Sequence, residues 1–199
     1  MAQTSASSTV FPGSRSYAAV RWIASIVAGS ALVAVCAHVS VPLFFTPVPM
    51  TLQPFAVLLL GLLLEPTAAF AALALYLVEG AAGLPVFTPQ GLGGMLQLMG
   101  PTGGYLMSYP FVAALVSFLH RRLPGRRFAS GLVAAAAGDV LILASGATWM
   151  AVMTHQHFST LLSLSVVPFL PGDALKVCAA AAIAAGWLQM RKTGETVGR

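Results

Sequence analysis

Long apolar segments, separated by short polar or charged stretches, follow one another along almost the whole chain. A helix needs about 20 mostly apolar residues to cross the hydrocarbon core of a bilayer. The apolar segments predict six membrane-spanning helices, at about residues 18–39, 55–64, 68–82, 105–119, 131–153 and 171–190. The second segment is short and ends at Glu65-Pro66, a feature that points to a nearby binding site in membrane proteins.

Two long segments break this helical pattern. Residues 41–54 contain four prolines, which exclude a regular helix, and residues 83–104 are rich in glycine and proline. Both are too apolar for ordinary aqueous loops, and irregular backbone at membrane depth is tolerated only where protein packs around it or where it lines a cavity. We therefore expect both loops to fold over the bundle, although a flexible loop is the simpler alternative for residues 83–104.

The composition excludes a soluble domain. Of the 199 residues, 58% are hydrophobic and only 8% are charged, too few to keep the surface of a soluble domain of this size hydrated. We therefore predict an all-α integral membrane protein, a single bundle of six transmembrane helices at residues 18–190. Residues 1–17 are predicted to be a disordered cytoplasmic tail, and residues 191–199 a second cytoplasmic tail.

The positions of the basic residues predict the orientation. Residues 22–120 contain no Lys or Arg, whereas basic residues precede the first span, separate the fourth from the fifth and follow the last. Because cytoplasmic loops carry such an excess, both termini are predicted to be cytoplasmic, and the two long loops are predicted to lie outside. The same distribution argues against nucleic-acid binding, despite a net charge of +5.

Asp173 and Lys176 are the conspicuous charged residues of the last span. A charge inside a membrane segment is costly, by roughly 2.5–3.5 kcal/mol at the helix centre, so such residues generally mark functional sites. Their i, i+3 spacing puts both side chains on one helical face, and Pro171 suits the first helical turn. The alternative is a self-satisfied ion pair near the interface, with Lys176 extended towards water.

A cavity with one ammonium, one carboxylate and apolar walls is suited to a small amphiphile. Such a ligand has an apolar body, an anionic or carbonyl group for Lys176 and N–H donors for Asp173. Motifs for enzymes are weaker, because the chain has neither a G-x-x-x-x-G-K-[ST] nor an H-E-x-x-H sequence. His155 and His157 have the spacing of two metal ligands, but no third ligand is nearby, and an ordinary loop is the simpler interpretation. The sequence leaves the roles of Glu79 and Asp139 open.

Small residues form a stripe along the first predicted span. Ala24, Ala28 and Ala31 follow an i, i+4, i+7 spacing, which lets another helix approach closely. The stripe serves either packing within the bundle or docking of a partner helix.

Four motifs, in this order, resemble those of the BioY family, the biotin-binding membrane subunits (S components) of energy-coupling-factor (ECF) vitamin transporters. The resemblance covers about residues 20–190 and rests on Thr46-Pro-Val-Pro-Met-Thr-Leu-Gln-Pro-Phe-Ala-Val-Leu-Leu-Leu-Gly61, Gly83-Leu-Pro-Val-Phe87, Gly100-Pro-Thr-Gly-Gly-Tyr-Leu106 and Pro171-Gly-Asp-Ala-Leu-Lys176.

The resemblance implies a six-helix S-component fold in the cytoplasmic membrane, with biotin held beneath the outer loops. Asp173 and Lys176 would contact biotin, and the first outer loop, which carries Gln53, would act as a lid. The alanine face of the first helix would dock on a membrane coupling subunit. Two partner ATPase subunits would use ATP, and the chain itself would need no cofactor or metal and would catalyse no reaction. Some members of the family are thought to act without these partners.

Further contacts are assigned on the same basis. Phe87, Tyr105 and Trp149 are expected to supply aromatic walls, and Gln90 is a candidate ligand contact in a stretch that departs from the family pattern. We expect Asp173 to accept hydrogen bonds from the ureido N–H groups of biotin and Lys176 to bind a ureido or carboxylate oxygen. The alternatives are an S component for a different vitamin, a membrane enzyme that acts on an amphiphile, or a purely structural subunit.

Overall fold

The computed structural model of the protein describes residues 13–155 and 158–197. This part of the chain is mostly helical. Its elements, in chain order, are α1 (Gly13–His38), β1 (Ser40–Val41), β2 (Met50–Thr51), α2 (Gln53–Leu63), α3 (Pro66–Ala81), α4 (Gly94–Met99), α5 (Gly103–Arg122), α6 (Arg127–Thr154), α7 (Phe158–Ser165) and α8 (Leu170–Val197).

Each of the six predicted spans corresponds to one of the longer helices, namely α1, α2, α3, α5, α6 and α8. Helix α1 already begins at Gly13, so residues 13–17 of the predicted disordered tail are helical. Helix α8 continues into the second predicted tail as far as Val197. Residues 1–12 and 198–199, the rest of the predicted tails, lie outside the described residues.

Two helices of the described chain are long and apolar enough to cross a bilayer, by length and composition alone. They are the segment of α1 from Ser16 to His38 and the whole of α6, with 23 and 28 residues. Helix α2 has only 11 residues. At 1.5 Å per residue it is about 16 Å long, roughly half of the hydrocarbon thickness. These helices alone therefore do not establish six spans.

The loops contain more regular structure than the sequence indicates. The proline-rich segment folds into a short antiparallel hairpin, in which Ser40 pairs with Thr51 and Val41 with Met50. Helix α4 interrupts the second long loop, and α7 lies in the connection to α8. Neither helix is predicted from the sequence, because glycine and proline around α4, and the shortness of α7, conceal their periodicity.

Close helix packing forms the core. Helix α5 packs against α2, α3 and α6, while α8 packs against α2 and α6. Gly61 of α2 faces α5 so closely that an added Cβ would lie 2.8 Å from the Ala113 carbonyl oxygen and 2.9 Å from the Cβ of Val116. Glycine at this position therefore permits the short distance between the two helices.

Large apolar side chains also cover the outside of the bundle. They are exposed on α1, α5, α6 and α8, and examples are Ile23, Val27, Phe111, Val140, Ile183 and Trp187. Monomeric soluble proteins rarely expose apolar surface to this extent, whereas lipid is a suitable environment for it. The predicted stripe of Ala24, Ala28 and Ala31 lies on this outer surface, because all three alanines are exposed on α1.

Replacement of Gly61 by alanine tests the packing of α2 on α5. We expect Gly61→Ala to lower the melting temperature in detergent, because overpacking of a well-packed core costs about 1–3 kcal/mol. Gly186→Ala is the matched control, since an added Cβ at Gly186 of α8 meets no atom within 4 Å. A melting temperature of Gly61→Ala equal to or above that of the control would contradict this account of the packing.

Candidate ligand-binding site

A cavity lies between the hairpin loop and the beginning of α8. Its volume is about 40 Å³. Its walls come from the hairpin loop, the second long loop with α4, and helices α2, α5, α6 and α8. The lining residues are Val48, Pro49, Thr51, Gln53, Pro54, Thr88, Gln97, Thr102, Tyr105, Leu106, Tyr109, Ile142, Leu143, Phe169, Asp173 and Lys176. Both irregular loops therefore fold over the bundle, as predicted.

Asp173 and Lys176 form an ion pair in the wall of this cavity. The Nζ atom of Lys176 donates to Oδ1 of Asp173 at 2.8 Å, and the side chains are only 10% and 4% exposed, respectively. Asp173 lies in the first turn of α8, where the positive end of the helix dipole favours an anion. The pair uses one of the three N–H donors of Lys176, so the ammonium retains donors for a ligand.

Gln53 closes the cavity at the start of α2. Its Nε2 donates to the hydroxyl of Tyr76 at 2.5 Å, and its Oε1 accepts from the hydroxyl of Thr51 at 3.1 Å. These bonds hold the buried amide between α3 and the hairpin loop. Any movement of the loop is therefore coupled to the hydrogen bonding of Gln53.

Two tyrosines of α5 line the same cavity. The hydroxyl of Tyr105, a predicted wall residue, donates to the carbonyl oxygen of Ser165 at 2.8 Å and so ties α5 to α7. Tyr109, one helical turn later, is 3% exposed, and its hydroxyl makes no hydrogen bond to another described residue. Tyr109 was not predicted as a site residue, although its i, i+4 spacing from Tyr105 places both side chains on one helical face.

Three predicted contacts lie elsewhere. Phe87 is buried against Tyr76, with ring centroids 5.3 Å apart, and it does not line the cavity. Trp149 packs on the outer side of α5 and α6, where its Nε1 donates to the carbonyl oxygen of Gly100 at 2.9 Å. Oε1 of Gln90 accepts from the hydroxyls of Ser40 and Thr88, both at 2.6 Å, in a neighbouring cavity.

Phe87 and Trp149 therefore hold the second long loop beside the cavity. Phe87 does so by its contact with Tyr76, and Trp149 by its hydrogen bond to Gly100, and neither partner lines the cavity. Gln90 links the second loop to the hairpin, because Ser40 belongs to β1.

The two acids whose roles the sequence left open have different surroundings. Glu79 accepts a hydrogen bond from the hydroxyl of Ser30 and thereby joins α3 to α1. Asp139 of α6 is 8% exposed, and its Oδ1 atom has no hydrogen-bond partner among the described residues. Of the histidines at positions 155 and 157, His155 is the C-cap of α6 and His157 lies outside the described residues.

The geometry suits recognition of an uncharged or anionic polar group by the ion pair of Asp173 and Lys176. The cavity presents the ammonium of Lys176, a carboxylate oxygen of Asp173 and the hydroxyl of Tyr109, surrounded by apolar side chains such as Ile142, Leu143 and Phe169. In such a water-poor environment, charge-assisted hydrogen bonds are strong.

Known proteins resemble this chain over most of its length. The model of the BioY family matches residues 5–193. A relative from Pyrococcus horikoshii, named "Probable biotin transporter BioY", is 37% identical over 155 residues, which cover 77% of this chain and 88% of the relative. A relative from Thermotoga maritima, named "Biotin transporter BioY", is also 37% identical over 155 residues, which cover 78% of this chain and 88% of the relative.

A solved structure supports the fold. The crystal structure of the S-component for biotin from an ECF-type ABC transporter matches with a TM-score of 0.80. The match covers 92% of this chain and 95% of the solved chain, at 24% sequence identity. The chain therefore has the fold of an ECF S-component.

The two buried aspartates make opposite predictions for stability. Asp139→Asn replaces a buried carboxyl group that lacks a full set of partners with an amide that cannot ionise, so we expect it to raise the melting temperature in detergent. Asp173→Asn leaves the buried Lys176 without its counter-charge, so we expect it to lower the melting temperature. Each variant exchanges a carboxyl group for an amide of similar shape at a buried helical site and therefore serves as the control for the other. A similar loss of stability in both variants would contradict the assigned difference in pairing.

Proposed function

The chain belongs to the BioY family, and we propose that it binds biotin and serves its uptake across the cytoplasmic membrane as an S component. The observation that carries the proposal is the buried Asp173–Lys176 pair in the wall of a cavity beneath the outer loops. Relatives named biotin transporters, more than 30% identical over three quarters of this chain, support the choice of ligand.

Biotin has the chemistry that this cavity requires. Its ureido group supplies N–H donors and a carbonyl oxygen, its thioether bicycle is apolar, and its tail ends in a carboxylate. Asp173 accepts hydrogen bonds from the ureido N–H groups, while Lys176 binds a ligand oxygen. Tyr109 adds a hydroxyl, and Tyr105 and Phe169 add apolar wall.

Biotin binding requires the cavity to expand. Sites for small molecules usually measure about 300–1,000 Å³, far more than the 40 Å³ between the loop and α8. The hairpin loop is the part of the wall that moves. From Val41 to Met50, the backbone hydrogen bonds of the described chain stay within the loop, and Ser40 joins it to the second loop through Gln90. The loop thus opens and closes as a lid without disruption of any helix.

The six longer helices span the membrane with both termini in the cytoplasm. The exposed apolar surface of the bundle supports contact with lipid, and the absence of Lys and Arg from residues 22–120 supports an outer location for the first two long loops. Helix α2 is too short to cross alone, so the hairpin loop that precedes it fills the outer part of the membrane. In this arrangement the binding cavity opens to the outside.

Coupling to ATP hydrolysis takes place in partner subunits. Ala24, Ala28 and Ala31 are exposed on α1, and small residues let the helix of a membrane coupling subunit approach closely. Two ATPase subunits on that coupling subunit hydrolyse ATP. The chain itself performs no reaction, and uptake by this chain alone is the alternative to the coupled form.

Removal of the ammonium of Lys176 tests its contact with the ligand. We expect Lys176→Ala to weaken biotin binding by about 2–5 kcal/mol, because Asp173 is left buried and unpaired. Arg191→Ala is the control, since it removes an exposed positive charge from the same helix. The measurement is equilibrium binding of biotin to purified protein in detergent.

A double variant covers the case in which Lys176→Ala fails to fold. Asp173→Asn with Lys176→Met removes both charges and leaves neither unpaired, so it is expected to fold without binding biotin. Parental affinity in either folded variant would remove the pair from the site.

The proposed topology predicts opposite accessibility for two exposed positions. In a Cys36→Ala, Cys178→Ala background, we expect Leu92→Cys to react with a membrane-impermeant maleimide on intact cells. Pro124→Cys, in the turn between α5 and α6, is expected to react only after the cells are permeabilised. Both positions are exposed in the folded chain, so burial does not explain a difference between them. The reverse pattern would contradict the orientation.

A further inference from the structure

A second cavity lies at the opposite end of the bundle from the binding cavity. It has a volume of about 330 Å³ and is formed by α2, α5, α6, α8 and the turn between α5 and α6. We call it the arginine cavity, after the lining residues Arg121 and Arg127. On α6, Arg127 precedes Ile142 of the binding cavity by a stretch of helix roughly 20 Å long.

The two arginines retain most of their hydrogen-bonding capacity. A guanidinium has five N–H donors. The described structure gives Arg127 one side-chain bond, from Nη1 to the carbonyl oxygen of Leu188 at 2.7 Å, and Arg121 one long bond, from Nε to Oγ of Ser117 at 3.4 Å. The ion pairs found among the described residues do not include either arginine. Both guanidiniums are therefore available to an anion.

Further groups in the arginine cavity favour an anion. Burial, together with the charges of Arg121 and Arg127, lowers the pKa of His120, although its hydrogen bond with Ser130 acts in the opposite direction. His120 lies beyond the apolar part of α5, and its Nδ1 shares a hydrogen bond of 3.2 Å with the hydroxyl of Ser130. Helix α6 begins at Arg127 without a side-chain cap, so the positive end of its dipole adds to the field.

The remaining walls are apolar, which selects an amphiphile rather than a free ion. Leu62 and Leu63 of α2 and Leu188 of α8 line the same cavity as the arginines. A phosphate group that carries a glycerol and acyl chains satisfies both sides, with its oxygens on the guanidiniums and its apolar part on the leucines. Basic cavities between helices at a cytoplasmic membrane surface are suited to such lipid headgroups.

We propose that the arginine cavity binds the phosphate of an anionic phospholipid at the cytoplasmic surface of the membrane. The site is separate from the biotin cavity, and its location at the membrane surface rests on the proposed topology. Arg121 and Arg127 bind the phosphate oxygens, Ser130 supports this contact, and the leucines pack against the glycerol and the upper acyl chains.

Native mass spectrometry of the full chain in detergent tests the proposal, with phosphatidylglycerol, phosphatidylcholine and inorganic phosphate as separate probes. The test variant is Arg121→Gln with Arg127→Gln. The control is Arg122→Gln with Arg126→Gln, which removes the same charge from residues that do not line the cavity. We expect phosphatidylglycerol to bind the parent and the control with similar affinity. We expect it to bind the test variant at least about tenfold more weakly.

Arg121→Gln alone is a second test variant, because Arg127 also supports α8 through Leu188. It is expected to weaken phosphatidylglycerol binding while the melting temperature is unchanged. Equal losses in the test and control variants would show general attraction to a basic surface and overturn the proposal. Equal binding of phosphatidylcholine, or displacement of the lipid by inorganic phosphate, would overturn the assignment to an anionic lipid.

Discussion

The candidate site is built around a buried ion pair near the beginning of α8. Asp173 and Lys176 are almost completely enclosed, and their contact at 2.8 Å compensates only partly for the loss of hydration. Apolar residues of similar size would avoid this cost. A ligand that binds the remaining donors and acceptors of Lys176 and Asp173 therefore explains the pair best. A ligand that enters and leaves also explains why irregular loops, and not helices, cover the pair.

The bundle holds this pair in a water-poor environment. Helices α2 and α6 pack against α8, and glycines such as Gly61, which lies between α2 and α5, keep the helices of the bundle close together. The opposite wall is the hairpin loop, whose backbone bonds are internal to it. The helices thus fix the charged groups, and in the proposed function the loop controls access to them. The two ends of the bundle differ in charge, because the basic residues lie around the α5–α6 turn, away from the binding cavity.

The longer helices and the charged part of the site were predictable from the sequence, for identifiable reasons. A charge inside an apolar run is rare, so Asp173 and Lys176 stand out, and the apolar runs themselves predict helices. Gln53 and Tyr105 followed from the resemblance to BioY and do line the cavity. Tyr109 was missed, and Phe87 and Trp149 lie outside the cavity, because the direction of a ring depends on packing between distant segments. Helices α4 and α7 are too short for their apolar pattern to be recognised.

The assignment of the cavity to biotin is tested by equilibrium binding to the purified parent chain in detergent, with labelled biotin and a panel of competing vitamins that includes thiamine and riboflavin. We expect saturable binding that unlabelled biotin displaces and the other vitamins do not. Absence of binding by the folded protein, or equal displacement by another vitamin, would contradict the assignment of the cavity to biotin.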